Sequence, residues 1–177
     1  ALTTADQIAV AEAKGFQILD LDASTATDQR RLAAEMGFIQ AECLSLLSQG
    51  HDVLVTTARG PDDPMVARLA EAITTSRATS SDVNARLGTA LGQLVSDIRR
   101  KTKMQRIAIS GGDTSGHALT QLGADALSAV APLAPGAPLC RVHTGADPAI
   151  DGLEVTLKGG QMGQPTFFLE AKGGPQT

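Results

Sequence analysis

Arg106-Ile-Ala-Ile-Ser110 runs without a break into Gly111-Gly112-Asp113-Thr114-Ser115-Gly116 and then into His117-Ala-Leu-Thr-Gln-Leu122. A short apolar run bounded by glycines reads as a strand, and the run beyond the glycines opens a helix. A strand that turns tightly into a helix is the building unit of α/β architectures. The same turn makes an anion site from main chain alone. Glycines admit a ligand close to the backbone, and the helix aims its free N–H groups and positive dipole end at the turn. Thr114 and Ser115 can cap the helix or offer hydroxyls to a phosphate. Asp113 would repel a bare phosphate. It fits as a cap, as an Asx anchor of the turn, or as a holder of hydrated Mg²⁺.

Two familiar phosphate loops do not fit. The chain has no G-x-x-x-x-G-K-[ST], and no G-x-G-x-x-G opens a first βαβ unit with an acid some twenty positions on. A second glycine cluster, Lys158-Gly159-Gly160-Gln161-Met162-Gly163, follows the apolar run Leu153-Glu-Val-Thr-Leu157. Pro165-Thr-Phe-Phe-Leu169 then suits a helix with proline in its first turn. Lys158 either sets an ammonium against a phosphate or lays its stem over the strand end. Ligands of open α/β sheets sit at the carboxyl ends of strands. Both turns would lie there if their strands are parallel neighbours.

The rest of the chain alternates in the same way. Residues 4–14 form an amphipathic helix capped by Thr4 and stopped by Gly15. Residues 16–21 and 52–56 are strands, and a long helix runs between them from Thr27 to Gly50. A turn or loop at residues 58–64 precedes a helix over residues 65–73, and the polar loop from Thr56 to Pro64 is a candidate third wall of the site. A second long helix starts at Ser80 and ends in Arg99-Arg-Lys101, a basic run that suits a helix C-terminus. Residues 126–130 and 139–142 read as short strands around a proline-rich connection. The expected fold is a single α/β domain with a parallel or mixed sheet flanked by helices.

Composition narrows the function. Formal charge is −4 and the isoelectric point about 5.3, which argues against nucleic acid as partner. Aromatic residues are 2%, with no Trp or Tyr, so an adenine would be sandwiched by Leu, Val, Ile, Ala or Met. Cys43 and Cys140 have no metal-ligand spacing, and His51, His117 and His143 form no ligand pair. A reduced, cytoplasmic setting is expected. No run is long and apolar enough to span a membrane.

Three ordered segments now carry a resemblance over nearly the whole chain. They are Gly111-Gly-Asp-Thr-Ser-Gly116, Ala134-Pro-Gly-Ala-Pro138, and Leu157-Lys-Gly-Gly-Gln-Met-Gly163 with Phe167-Phe168, and Thr4-Ala-Asp-Gln7 looks like the domain start. Together they resemble the C-terminal nucleotide-binding domain of the four-carbon acid sugar kinases. The resemblance implies ATP with Mg²⁺ as cofactors. It implies ATP contacts from Gly111, Gly112, Asp113, Thr114 and Gly160, and transfer to a tetronate, threonate, erythronate or 3-oxo-tetronate. Some relatives carry the older label of type III effector Hrp-dependent outer protein.

The chain departs from the family pattern in three places. A serine-rich stretch usually precedes the segment matching Thr4-Ala-Asp-Gln7, where this chain has Ala1-Leu2-Thr3. Gly159 and Met162 stand where a serine and an aromatic are usual. The Asp-Asp-x-Thr-Gly motif of the family's N-terminal sugar-acid domain is not present, since Asp62-Asp63-Pro64 does not match it. We therefore expect residues 1–177 to be the nucleotide-binding half of a two-domain kinase. It would meet its sugar acid through the other domain and be inactive alone. Homo-oligomerisation stays open. The alternatives are a non-catalytic nucleotide or small-molecule module and an effector-type interaction domain.

Overall fold

Strands β1 (Gln17–Asp20) and β2 (Val53–Thr56) pair in parallel, and β3 (Arg106–Ser110), β6 (Glu154–Lys158), β5 (Ala137–His143) and β4 (Ala126–Ala134) form a second sheet in that order. The computed structural model describes residues 4–173. In the second sheet β3 and β6 are parallel, while β5 is antiparallel to both β6 and β4. The α/β expectation holds, with the sheet divided between β2 and β3.

Helices cover both faces, and the alternation of side chains along each strand decides which. Leu19, Val53 and Val55 pack with α2 (Gln29–Ser48) and α4 (Ser80–Lys101). Ile107, Ile109, Val155 and Leu157 pack with α5 (Gly112–Gln121) and Val95 of α4. The residues between them, Ile18, Leu54 and Ala108, point the other way, to α1 (Thr4–Ala13) and α6 (Phe167–Gly173). This is the two-residue period of a strand buried on both faces. Helix α3 (Pro64–Thr75) precedes α4 in the connection from β2 to β3.

Several elements start or end where local chemistry places them. Asp63 caps α3, with Pro64 in its first turn. Thr79 and Asp82 form a reciprocal capping box at the start of α4. Helix α2 begins at Gln29 rather than Thr27, because Asp28 accepts from the amides of Arg30 and Arg31. A 3₁₀ turn, Ala23–Thr27, precedes it and is started by Asp22.

Two further expectations are corrected. Residues 126–134 form one nine-residue strand, joined to β5 by the two-residue turn Pro135–Gly136. The turn works because Pro presets its first position and Gly136 takes φ +76°. Pro165 lies in a turn before α6 rather than inside it, and the helix starts at Phe167.

Cys43 is buried in the α2–α4 core, where burial pushes its thiol up to about 11. No helix among the described residues is long and apolar enough to cross a membrane.

Candidate nucleotide site

Parallel register sets Ser110 beside Lys158, so the two glycine turns leave the sheet at adjacent points. One hydrogen bond joins them directly, from the Gly111 amide to the Lys158 carbonyl at 2.9 Å. The sequence-based condition that the strands be parallel neighbours is met.

The first turn is open. Gly111 holds φ +120°, a conformation that L side chains rarely adopt. Helix α5 begins at Gly112 with no side-chain cap. Ser115 is the first residue of this segment whose amide bonds back, to the Gly111 carbonyl at 2.9 Å. The amides of Gly112, Asp113 and Thr114 therefore project from the helix end as uncommitted donors. Gly112, Asp113 and Gly116 are exposed, and a Cβ built on Gly112 or Gly116 would meet nothing within 4 Å. Of the roles open to Asp113, the cap is not taken. Ser115 is buried and donates its hydroxyl to the Gly111 carbonyl at 2.6 Å, so it tightens the turn instead of facing outward.

The second turn is braced from below. Lys158 is 3% exposed, and burial pushes its pKa down. Its Nζ donates to Thr4 Oγ1 at 3.0 Å and to the Gly159 carbonyl at 3.2 Å, and lies 5.7 Å from the centre of the Phe167 ring. Neither a surface lysine nor a side chain reaching into open solvent describes it. Thr4 in turn donates to the Gly160 carbonyl at 2.6 Å. Gln7, fully buried, donates to the carbonyls of Met162 and Gln164 at 2.9 and 3.0 Å. Its Oε1 has no partner among the described residues.

Gly163 has φ +86°, and a Cβ there would stand 2.8 Å from Phe167. It is a packing glycine under the loop. Gly159 donates its amide to Met162 Sδ at 3.4 Å, and the Met162 methyl lies where a Cβ of Gly136 would be. Met162 thus ties the second turn to the tip of the β4–β5 hairpin. Gly160 has only Thr4 Oγ1 nearby, at 3.9 Å from an added Cβ.

Between the two sheets lies a cleft of about 1280 Å³. Thr4, Thr56, Ser110, Gly111, Thr114 and Gly160 line it, together with apolar residues such as Leu54, Leu91, Val95, Ile107 and Phe168. Of the loop expected as a third wall, Thr56, Thr57 and Ala58 line the cleft. Arg59 pins that loop, with two nitrogens on the Asp20 carboxylate at 2.8 Å and a third on Glu12 at 3.1 Å. His117 does not enter the site. Its Cβ packs over Gly88 of α4.

Gly88 and Gly92 of α4 lie outside the glycine motifs, yet they shape the support of the first turn. A Cβ on Gly92 would stand 2.7 Å from Gln121 Cβ and 2.9 Å from the Ala118 carbonyl, so these glycines let α4 and α5 touch backbone to backbone. The signal was their four-residue spacing on one helix face. Ala1–Thr3, where the family's serine-rich stretch would fall, lies outside the described residues.

Solved structures share this fold. A Haemophilus influenzae protein aligns over 98% of this chain and 38% of its own, with TM-score 0.73 and 16% identity. A Bordetella bronchiseptica domain of unknown function, crystallised as a domain-swapped dimer with bound citrate, aligns over 97% of this chain and 38% of its own, with TM-score 0.61 and 20% identity. At those identities the likeness shows the fold alone.

In sequence, the chain is 40% identical over 165 residues to the 3-oxo-isoapionate kinase of Paraburkholderia graminis, across 93% of this chain and 35% of that protein. The chain therefore spans about a third of that relative's length. Residues 1–168, a span that holds both glycine turns, match the nucleotide-binding C-terminal domain family, and the chain belongs to that family.

Proposed function

We propose that this chain binds Mg·ATP and is the nucleotide-binding half of a kinase that phosphorylates a small sugar acid, with four-carbon acids such as tetronates as the first substrates to test. The observation that carries the reading is the Gly111–Lys158 main-chain bond. It sets an uncapped helix N-terminus beside the second glycine turn, and Gly111, Thr114 and Gly160 of the two turns line one largely apolar cleft.

ATP fits these residues by its chemistry. The three free amides of α5 match phosphate oxygens. The cleft volume exceeds the several hundred Å³ of an ordinary small-molecule site. Its aliphatic walls suit a base that no Trp or Tyr can stack on. Among the described residues no three His, Cys, Asp or Glu side chains converge to hold a metal. Mg²⁺ would therefore travel on the phosphate oxygens, with Asp113 as the carboxylate on the first turn. Bound there, ATP supplies the phosphoryl group. Gly111, Gly112 and Thr114 would orient it, and the ammonium of Lys158, beneath Gly159, would raise the local positive potential. The kinase relative, of which this chain matches about a third, supports placing the acceptor elsewhere in a longer protein.

Calorimetric titration with Mg·ATP tests the binding, and a phosphate-transfer assay with a tetronate panel tests the division of labour. This chain should bind nucleotide and transfer nothing, because positioning the acceptor in line is most of the catalysis. Turnover by this chain matching that of the longer protein would place the acceptor site here instead.

A further inference from the structure

Gln7 on α1 is fully buried, and half of its amide is left unserved. Nε2 lies between the carbonyls of Met162 and Gln164, at 2.9 and 3.0 Å, and two acceptors around one atom mark it as the nitrogen. Oε1 then has no partner among the described residues. A buried acceptor without a partner costs stability, and such an atom in a native fold calls for an explanation. An apolar side chain of the same length avoids that cost, so stability alone does not account for a glutamine here.

The direction of its bonds does. In a planar trans peptide the N–H points opposite to the C=O, and no described peptide is cis. Around the second turn the carbonyls are drawn to buried or half-buried donors. The Gly159 carbonyl accepts from Lys158 Nζ at 3.2 Å, the Gly160 carbonyl from Thr4 Oγ1 at 2.6 Å, and the Met162 carbonyl from Gln7. The amides that follow them, of Gly160, Gln161 and Gly163, therefore point away from those donors. None of the three has a hydrogen-bond partner among the described residues. Gly160 and Gln161 are exposed, and Gly160 lines the cleft. Free N–H groups on successive peptides are the material of an anion cradle. Thr4 gives its one hydroxyl proton to Gly160, so it braces the turn and keeps no proton for a ligand.

We propose that Gln7 is a positioning residue for nucleotide binding, which together with Thr4 turns the peptide planes of the second glycine turn so that its free amides face the phosphates. The proposal rests on the Mg·ATP reading above. Glycine at 159, 160 and 163 leaves these peptides free to flip, so their direction has to be set from outside the turn. A flipped peptide presents a carbonyl oxygen to the phosphate and repels it. Gln7 holds the carbonyls inward from a helix that is distant in sequence, and the unserved Oε1 is what that placement costs.

Calorimetry with Mg·ATP and with adenosine, on the parent chain and on Gln7→Met, tests it alongside thermal unfolding and residue-resolved amide exchange. Methionine keeps the length and removes both the donors and the unserved oxygen. The variant should melt like the parent and bind adenosine equally well, while its affinity for Mg·ATP falls about tenfold. Mg·ATP should protect the amides of Gly160, Gln161 and Gly163 in the parent and lose its hold on Gly163 in the variant. Unchanged affinity for Mg·ATP overturns the proposal. So do equal losses for both ligands with a lowered melting temperature, which describe a plain structural strut. Binding by the parent that leaves all three amides exchanging freely also overturns it. Thr4→Val should show the same split between the ligands, and it decides the matter if Gln7→Met does not fold. A parent chain that binds no Mg·ATP removes the nucleotide reading and this proposal with it. A parent and a Gln7→Met variant that bind equally well remove only the role of Gln7.

Discussion

The two glycine turns look alike in sequence and differ in what surrounds them. At the first, a side chain on Gly112 or Gly116 would meet empty space and the helix end has no cap. At the second, each glycine or its neighbour is held: Gly163 by Phe167 and Gln7, Gly159 by Met162, Lys158 by Thr4. One turn leaves the amides of Gly112, Asp113 and Thr114 unspent within the protein. The other commits its carbonyls to the protein and fixes the geometry of the first through the Gly111–Lys158 bond. Glycines of the first turn should therefore matter to binding, and those of the second to stability.

The sharpest break in that comparison is Gly163→Val. It forces a β-branched side chain into positive φ and against Phe167. Thermal unfolding should show a loss of about 2–4 kcal/mol, combining left-handed backbone strain with overpacking. An unchanged melting temperature would mean that the second turn is not braced.

Gly112→Val should do the reverse. The added side chain meets no protein atom within 4 Å, so the melting temperature should hold or rise slightly, valine being a better helix former than the glycine it replaces. Calorimetry should then find no measurable Mg·ATP binding, because the valine occupies the space in front of the free amides. Wild-type affinity in this variant would remove the first turn from the site.

Lys158→Met sharpens the comparison at the join. Loss of a charge near phosphate should weaken ATP by roughly 1–3 kcal/mol and leave adenosine nearly unaffected. Equal losses for both would make the lysine a purely mechanical strut. The pH dependence has a definite sign. A buried ammonium has its pKa pushed below the ordinary 10.5, so below that lowered value the folded state carries the full desolvation cost. Between the lowered value and 10.5 the unfolded chain binds more protons, and stability rises with pH. The methionine variant should lack that rise in chemical denaturation across the alkaline range.

The smallest effect belongs to Asp113→Asn. Removing a carboxylate from the first turn of α5 should cost at most about 0.3–1 kcal/mol of stability. It should also shift the Mg²⁺ dependence of ATP binding more than the affinity at saturating Mg²⁺. No change in either would leave Asp113 outside the site.

Most of the framework was legible because each signal was local. Strand, glycine turn and helix at residues 106–122 appear as the pattern reads, and parallel pairing of β3 with β6 brings the turns together. What escaped depends on contacts far apart in the chain. The carbonyls that Gln7 serves lie more than 150 residues away, and nothing in Thr4-Ala-Asp-Gln7 announces them. Lys158 reads as a surface or phosphate lysine because burial by Phe167 and Phe168 is a tertiary fact. Gly88 and Gly92 resemble weak spots in a helix until α5 is laid against them. Helix α2 starts two residues after Thr27, at Gln29, because Asp28 caps it and a 3₁₀ turn occupies residues 23–27, which the helical periodicity alone does not separate from the helix.

The central claim is that Gly112, Asp113 and Thr114 offer free amides to nucleotide phosphates. Amide exchange of the chain with and without Mg·ATP, resolved to single residues, measures this directly. The account predicts strong protection at those three amides with Mg·ATP and none with adenosine. Binding that leaves all three exchanging as in the free chain would contradict it.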